Sequence, residues 1–276
     1  MQRFVPVGWS AHDVEEELIG PPTRAYVRFP ELEVIDRPDW GQLTCRLFPT
    51  GGFNEVSRAK LNESEADRVI DQTLTHYAER GLVFRWSVMP GSTPLDLAAR
   101  LSARGLRSSE VVGMARSTTF EHRPRSGVSV EAVGLDRLDD FSRVMSEGWG
   151  TPLGALGDYN RLALADPRRE FRLFLGSIDG EPAAAGAAML FPRSIYLLGS
   201  VVLERFRGRG LYSALIAARL SVARGLGIPL ATTHARASTS APLLAHAGFD
   251  EWFRYSSFRS NPHPDPLPKG PKGEGG

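Results

Sequence analysis

Residues 201–220, VVLERFRGRGLYSALIAARL, pass from a β-branched apolar run through three arginines and two glycines into a segment with helical periodicity. The pattern is strand, glycine-rich loop, helix. Glycines at such a joint let backbone N–H groups turn inward and approach an anion closely. The helix starting near Leu211 adds its positive end, worth about 0.3–1 kcal/mol to a negative charge in an exposed setting. Arg205, Arg207 and Arg209 supply contacts at the rim, and a diphosphate fits such a site. A solvated basic turn is the other reading of the hexapeptide.

Known phosphate loops narrow the choice. A Walker loop continues Lys-Ser/Thr after its last glycine, whereas this one continues Leu211-Tyr212-Ser213. A dinucleotide fingerprint needs a third glycine where Ser213 stands, and an acidic residue at the end of the next strand, IPLATTHA, which has none. What remains is Arg/Gln-x-x-Gly-x-Gly/Ala, met by Arg205 to Gly210.

Composition bounds the partners. The net charge of the 276 residues is +1, with 42% hydrophobic and 24% charged residues, the profile of a soluble globular chain long enough for two domains. Without a global basic field a nucleic-acid partner is not expected, so an anion site must be local. The one cysteine, Cys45 in QLTCRLF, allows no intrachain disulfide and no Cys-based zinc site, and reads as a buried strand thiol. No His/Cys/Asp cluster has ligand spacing, so no metal is expected. The amino end, MQRFVPVGWSAHDVEEEL, lacks a signal pattern, and no apolar run approaches the ~20 residues of a membrane span. A cytoplasmic protein without a membrane partner is the expectation.

Along the chain, AYVRF (25–29), LEVI (32–35) and QLTCRLF (42–48) read as strands. A helix follows over 64–82, with Ala66, Val69, Ile70, Leu74 and Tyr77 on one face, Ser64 as cap and Gly81 at its end. A strand over 82–90, a helix over 94–106 and a strand over 111–120 complete the first half. EHRPRSG (121–127), broken by Pro124 and Gly127, is the expected domain boundary. The second half reads as strand 128–133, helix 135–149, and a loop and helix over 150–166. A hairpin follows over 171–190 with its turn at Asp179-Gly180. Then come strand 194–203, the Arg/Gly loop, helix 211–227, strand 228–235, helix 240–249 and strand 250–258. The tail, residues 260–276, is rich in proline, glycine and charge, and disorder is expected there. VFRWSVMPGSTPLDLAARLSARGL and IPLATTHARASTSAPLLAHAGF share one strand–loop–helix–Gly pattern, a hint of two copies of one fold.

The loop, its flanking strand and helix, the G-I-P strand and the helix ending Ala247-Gly248-Phe249 resemble the GNAT superfamily of acyl-CoA N-acyltransferases. The resemblance covers roughly residues 128 to 259. It implies an α/β fold built from two acyltransferase-like domains in tandem, each a central mixed sheet flanked by helices. The expected domains are 1–122, degenerate, and 128–259, binding acetyl-CoA. It further implies that backbone groups of Ser200, Val201 and Val202, on a bulged strand, pair with the pantetheine arm and thioester. The loop from Arg207 through Leu211 and Tyr212, flanked by Arg205, then wraps the diphosphate. The first half lacks the Arg-x-x-Gly-x-Gly pattern, and PTGGFNEVSRAKLNESEADR is acidic where phosphates would lie.

The family often carries a tyrosine on the last helix, four residues before the Gly-Phe pair, to serve the leaving thiolate. Leu244 stands there. Ser240, one turn earlier, is the candidate replacement, while His246 should point away. A thiol with a pKa near ~8.5 is a tolerable leaving group without any acid. Candidates for the base are Glu204, beside the loop, and His234, at the end of the strand facing the thioester region. Glu147, Trp149, Asp158 and Tyr159, around GWGTPLGALG, would suit a cationic amine, small molecule or peptide. Direct N-acetyl transfer in a ternary complex is therefore expected. The alternative is a catalytically weak acyl-CoA sensor or interaction module of the same fold.

Overall fold

The computed structural model describes residues 3–50, 53–119, 125–150 and 154–261. In chain order the elements begin with α1 (Ala11–Ile19), β1 (Leu32–Arg37), β2 (Trp40–Cys45), β3 (Glu55–Ser57), α2 (Ala66–Ala78) and β4 (Arg85–Val88). Next are α3 (Leu97–Ala103), β5 (Arg107–Ser117), β6 (Val128–Ala132), α4 (Leu138–Trp149), α5 (Ala155–Ala165), β7 (Phe171–Ile178) and β8 (Glu181–Leu190). The chain closes with β9 (Ser194–Val202), α6 (Leu211–Gly225), β10 (Leu230–Arg236), α7 (Ser240–His246) and β11 (Asp250–Arg259).

The packing forms two compact units, both discontinuous in sequence: Met1–Pro30 with Glu110–Tyr255, and Glu31–Ser109 with Ser256–Gly276. The unit boundaries thus fall inside β5 and β11, whereas a linear boundary was expected at 121–127, of which residues 121–124 lie outside the described residues.

In the first unit the strands run β11-β5-β10-β9-β8-β7-β6; β5–β10, β8–β9, β7–β8 and β6–β7 pair antiparallel and β9–β10 parallel. The β7–β8 hairpin turns at Asp179 and Gly180, both with positive φ (50° and 86°), as a two-residue turn matched to strand twist requires. The middle of strand β8, residues 183–188, is alanine except for Gly186, and Ala183, Ala184, Ala185 and Ala188 are fully buried. Such small side chains let α4 close on one face and α6 on the other. Helix α1, absent from the sequence reading, starts with a capping box: the Ser10 hydroxyl accepts the Asp13 N–H (3.2 Å) and the Asp13 carboxylate accepts the Ser10 N–H (2.7 Å). Its Val14 and Leu18 pack with Ala115 of β5, Leu230 of β10 and Trp252 of β11. The strand expected at 25–29 does not form. Tyr26, Val27 and Phe29 are buried there, but the Val27 N–H donates to the Tyr159 hydroxyl (2.9 Å) and not to a neighbouring strand.

The second unit orders its strands β1-β2-β3-β4 and then the end of β11, with β3 and β4 parallel. Its core holds Val56, Ile70, Tyr77, Phe84, Trp86, Leu97 and Leu101. Tyr77 stacks on Phe84 at 4.1 Å and donates its hydroxyl to the Leu43 carbonyl (2.6 Å). Helix α2 is capped by Glu65, without a side-chain bond, so Ser64 does not cap it. Cys45 is a buried thiol whose pKa burial raises, as its strand setting foretold.

Candidate functional site

Strands β9 and β10 pair only from Ser194↔Leu230 to Leu197↔Thr233, although β9 runs on to Val202 and β10 to Arg236. On its other edge β10 stays paired with β5 through Arg236↔Val111. The sheet therefore parts between β9 and β10. A bulge accompanies the parting: Ala185 faces Val201 and Ala187 faces Leu198, so Gly199 and Ser200 together oppose Gly186. Gly199 takes φ 55°, and the extra residue bends the strand. Ser200, Val201 and Val202 lie half-buried along this edge of the opening. Their backbone groups there have no β10 partner.

The Arg/Gly loop follows directly. The Leu203 N–H closes the strand on the Ala183 carbonyl (2.9 Å), and a short 3-10 turn spans Glu204–Phe206. Buried Phe206 anchors the loop, with the guanidinium groups of Arg205 and Arg209 at 4.9 and 5.8 Å from its ring centre. Gly208 (φ 74°) and Gly210 (φ 91°) hold left-handed conformations, and a Cβ on Gly208 would enter open space. Gly210 precedes Leu211 as the cap of α6 with no side-chain bond, leaving the first-turn amides to whatever lies in front of them. A residue outside the expected set shapes this loop. Arg125 donates to the Gly208 carbonyl (3.2 Å), and a Cβ on Gly210 would stand 2.7 Å from its Cδ. Lying in the polar linker, Arg125 gave no local signal of this role.

Each loop arginine faces a carboxylate. Arg205 pairs with Glu147 and, at 3.5 Å, with Glu181; Arg207 lies 3.8 Å from Glu204, and Arg209 4.0 Å from Asp179. The bond to Glu147 is the main cause raising the Arg205 pKa. Exposed pairs of this kind contribute little, so a polyanion can displace them cheaply.

The opposite face of β9 receives the end of α4. A Cβ on Gly148 would fall 2.0 Å from Val201 Cγ2, and the Trp149 ring lies 3.7 Å from the Cβ position of Gly199. Trp149, 45% exposed, and Glu147 thus lie beside the bulge. On that face β9 presents Tyr196 and Leu198, and β10 presents Thr232 and His234, because Tyr196 and Thr232 are register partners. His234 Nδ1 is 3.5 Å from the Tyr196 hydroxyl, and the ring sits among Tyr196, Tyr255 and Phe253 at 5.7, 5.4 and 6.4 Å.

Other expected residues lie differently. Tyr159 belongs to the core: it is buried, accepts the Val27 N–H, and meets Phe29 and Phe171 edge-on at 5.6 and 5.7 Å. Burial pushes its pKa well above the usual tyrosine value. This fixed role takes it out of the acceptor set, a correction that the apolar spacing of α5 explains. Asp158 is exposed on the same helix, and residues 151–153 of the acceptor segment lie outside the described residues. Glu204 is 89% exposed, with Arg207 as its ionic neighbour. The Ser240 hydroxyl accepts the Arg236 N–H (2.9 Å), tying it to the strand end. Leu244 is buried, its carbonyl accepting the Phe249 N–H (3.0 Å), and exposed His246 turns back on the Pro242 carbonyl. Tyr212 is half-buried in the first turn of α6, where burial raises its pKa.

Residues 136–249 match the model of the acetyltransferase (GNAT) family. The chain carries a GNAT acetyltransferase domain. Solved structures share its fold. A GCN5-related N-acetyltransferase from Kribbella flavida aligns with a TM-score of 0.62 and 14% identity, over 92% of this chain and 96% of that one. A GCN5-related N-acetyltransferase from Sphaerobacter thermophilus gives 0.61 and 15%, over 93% and 87%. A tandem GNAT protein from the clavulanic acid biosynthesis pathway gives 0.55 and 14%, over 90% and 88%. No curated protein matches the sequence. The matched GNAT segment contains the parted strands, the bulge and the loop, whereas Arg125, α1 and β5 lie outside it. Among the described residues no group of His, Cys, Asp or Glu is placed to hold a metal ion, and no helix is long and apolar enough to cross a membrane.

Proposed function

We propose that the GNAT domain transfers an acetyl group from acetyl-CoA to a primary amine, directly and within a ternary complex. The observation that carries this reading is the junction of the parted β9–β10 edge with the uncapped start of α6. One offers unpaired strand groups to an amide-containing arm; the other offers amides and positive charge to a diphosphate. Gly208 and Gly210 support the fit, since both hold left-handed backbone and no side chain fills the path in front of Gly208.

In this reading the amine enters on the face holding Trp149, Glu147 and His234. Its nitrogen lone pair forms a C–N bond to the thioester carbonyl carbon, and the carbonyl oxygen takes up negative charge beside the N–H groups of the bulged strand. The C–S bond breaks, the sulfur leaves as thiolate, and His234 takes the proton lost by nitrogen. Water protonates the thiolate, since Leu244 offers no acid.

For the second unit we propose a degenerate copy of the same fold that binds no CoA. Its support is the β3–α2–β4 crossover, which repeats the parallel connection with Glu65 and Asp67 at the helix start. One site per chain is therefore expected. Buried Leu244 favours a second reading, an acyl-CoA sensor without turnover.

Calorimetric titration with acetyl-CoA, beside dephospho-CoA and ATP, tests the cradle; a mixed amine panel then tests turnover. Tight binding of acetyl-CoA at one site supports the reading, repeated turnover sinks the sensor, and absence of binding returns the loop to a solvated basic turn.

A further inference from the structure

Helix α6 carries a charge that packing alone does not explain. Arg219, two turns beyond the Arg/Gly loop, is 1% exposed between α6 and the sheet. Its Nε donates to the Leu215 carbonyl (3.0 Å) and its Nη1 to the Ala187 carbonyl (3.2 Å). Among the described residues no carboxylate pairs with it, and Tyr212, at i−7 on the same helix face, is the titratable group its charge reaches. Burial brings its pKa down to about 10, so the group stays cationic at neutral pH. A buried ion is costly even after relaxation, and an apolar side chain of similar volume would fill the space more cheaply.

Its location is specific. Ala187 is the β8 residue beside the register shift, and Gly186 is the residue opposite the bulged pair Gly199 and Ser200. A Cβ on Gly186 would lie 3.2 Å from Ser200 Oγ and 3.4 Å from Arg219 Nη1. Glycine there leaves the room in which guanidinium and hydroxyl converge behind the bulge. The cation therefore stands on the α6 side of the strand segment whose edge lines the opening. In a dry interior its field acts at a strength that water would quench.

We propose that Arg219 is a positioning residue for acyl transfer, fixing the β8–β9 bulge through the Ala187 carbonyl and supplying a standing positive charge against which the oxyanion and then the thiolate form. The role rests on the acetyl-CoA reading above.

The test uses the full chain with acetyl-CoA, read by calorimetry, by thermal unfolding and by CoA release to water or amine. Arg219→Met keeps much of the volume and removes the charge. Its unfolding temperature should hold or rise and its acetyl-CoA affinity should stay near wild type, while kcat falls about a hundredfold, the scale of one lost oxyanion donor. Arg219→Lys should recover part of that loss. Wild-type kcat in the Met variant overturns the role, and so does a fall matched by an equal loss of acetyl-CoA affinity. Should Arg219→Met fail to fold, Gly186→Ala, which pushes on the guanidinium and Ser200, must lower kcat with affinity retained; unchanged kcat overturns the proposal. A wild-type chain that binds acetyl-CoA but releases no CoA removes the reaction and this role together. A wild-type chain that binds no acetyl-CoA instead fails the underlying reading, visible before any variant is made.

Discussion

The chain makes the same connection twice. In β9–α6–β10 and in β3–α2–β4 a strand passes through a loop into a helix and returns as a parallel neighbour. The first loop places Gly208 and Gly210 before a helix with no acidic residue in its first turn. The second places Glu65 and Asp67 at the helix start, with Arg68 holding the Glu65 carboxylate below its usual pKa. The strands differ as well. Buried Glu55 of β3 binds Arg85 and Ser87 of the parallel β4 at 2.7 Å, which ties the two strands together, whereas β9 and β10 separate after Leu197 and Thr233. Topology is thus permissive. Charge at the helix start and an untied strand edge set one crossover apart, and on them rests its proposed role as the anion site.

The sharpest break of that contrast is Gly210→Glu, with Gly208→Glu beside it. Each puts a side chain and a negative charge onto a left-handed position in the diphosphate path, and acetyl-CoA affinity should fall below detection in a calorimetric titration. Unchanged affinity in either would remove the cradle from this loop. Next in size is His234→Ala, for which kcat should fall about a hundredfold or more while acetyl-CoA affinity stays, as loss of a general base requires. A parallel loss of affinity would make His234 a structural residue.

A core truncation in the other crossover, Ile70→Ala, should cost about 2–5 kcal/mol in denaturant unfolding, because the side chain is fully buried. Leu244→Tyr is a smaller change in the opposite sense. It should raise turnover on an accepted amine by supplying an acid, at an overpacking cost of about 1–3 kcal/mol. No gain would mean that the position does not reach the thiolate.

The smallest effect concerns His76, whose pKa burial lowers from 6.5 and which lies 3.0 Å from the Thr44 hydroxyl. A histidine with a depressed folded pKa lets the unfolded chain bind protons first. Stability should therefore be full above pH about 6.5 and decline as pH falls toward the folded value. Replacing His76 with Gln should flatten that slope in unfolding curves taken at several pH values.

The sequence made local joints legible and left distant contacts hidden. Asp179-Gly180 announces its turn, and the Arg/Gly loop announces itself, because both are written in consecutive residues whose backbone needs are special. Helix α1 is equally local: Ser10 and Asp13 have capping-box spacing just ahead of Val14 and Leu18. Tyr159 lay at a plausible spacing for an acceptor pocket, and only the chain far away at Val27 shows that its hydroxyl is spent. Arg125 reaches Gly208 from a segment that reads as linker. Arg219 looks like a surface residue in LIAARLSVARG, since one-dimensional periodicity does not reveal a cation turned inward over alanine and glycine. The charge contrast at the two helix starts was visible in the residues, whereas the tie between β3 and β4 needed Glu55, Arg85 and Ser87 in space.

The discontinuous makeup of the GNAT-bearing unit has a consequence for anyone who subclones it. A gene cut at the polar linker of residues 121–127 would carry the whole family segment, 136–249, yet its product would leave behind α1 and β5. Strand β10 would lose its antiparallel neighbour from Leu230 to Arg236, and Leu230 and Trp252 would lose Val14, Leu18 and Ala115. An unpaired, apolar strand edge is a template for aggregation. A soluble fragment would have to bring residues 1–30 and 110–117 with it, by fusion or by co-expression.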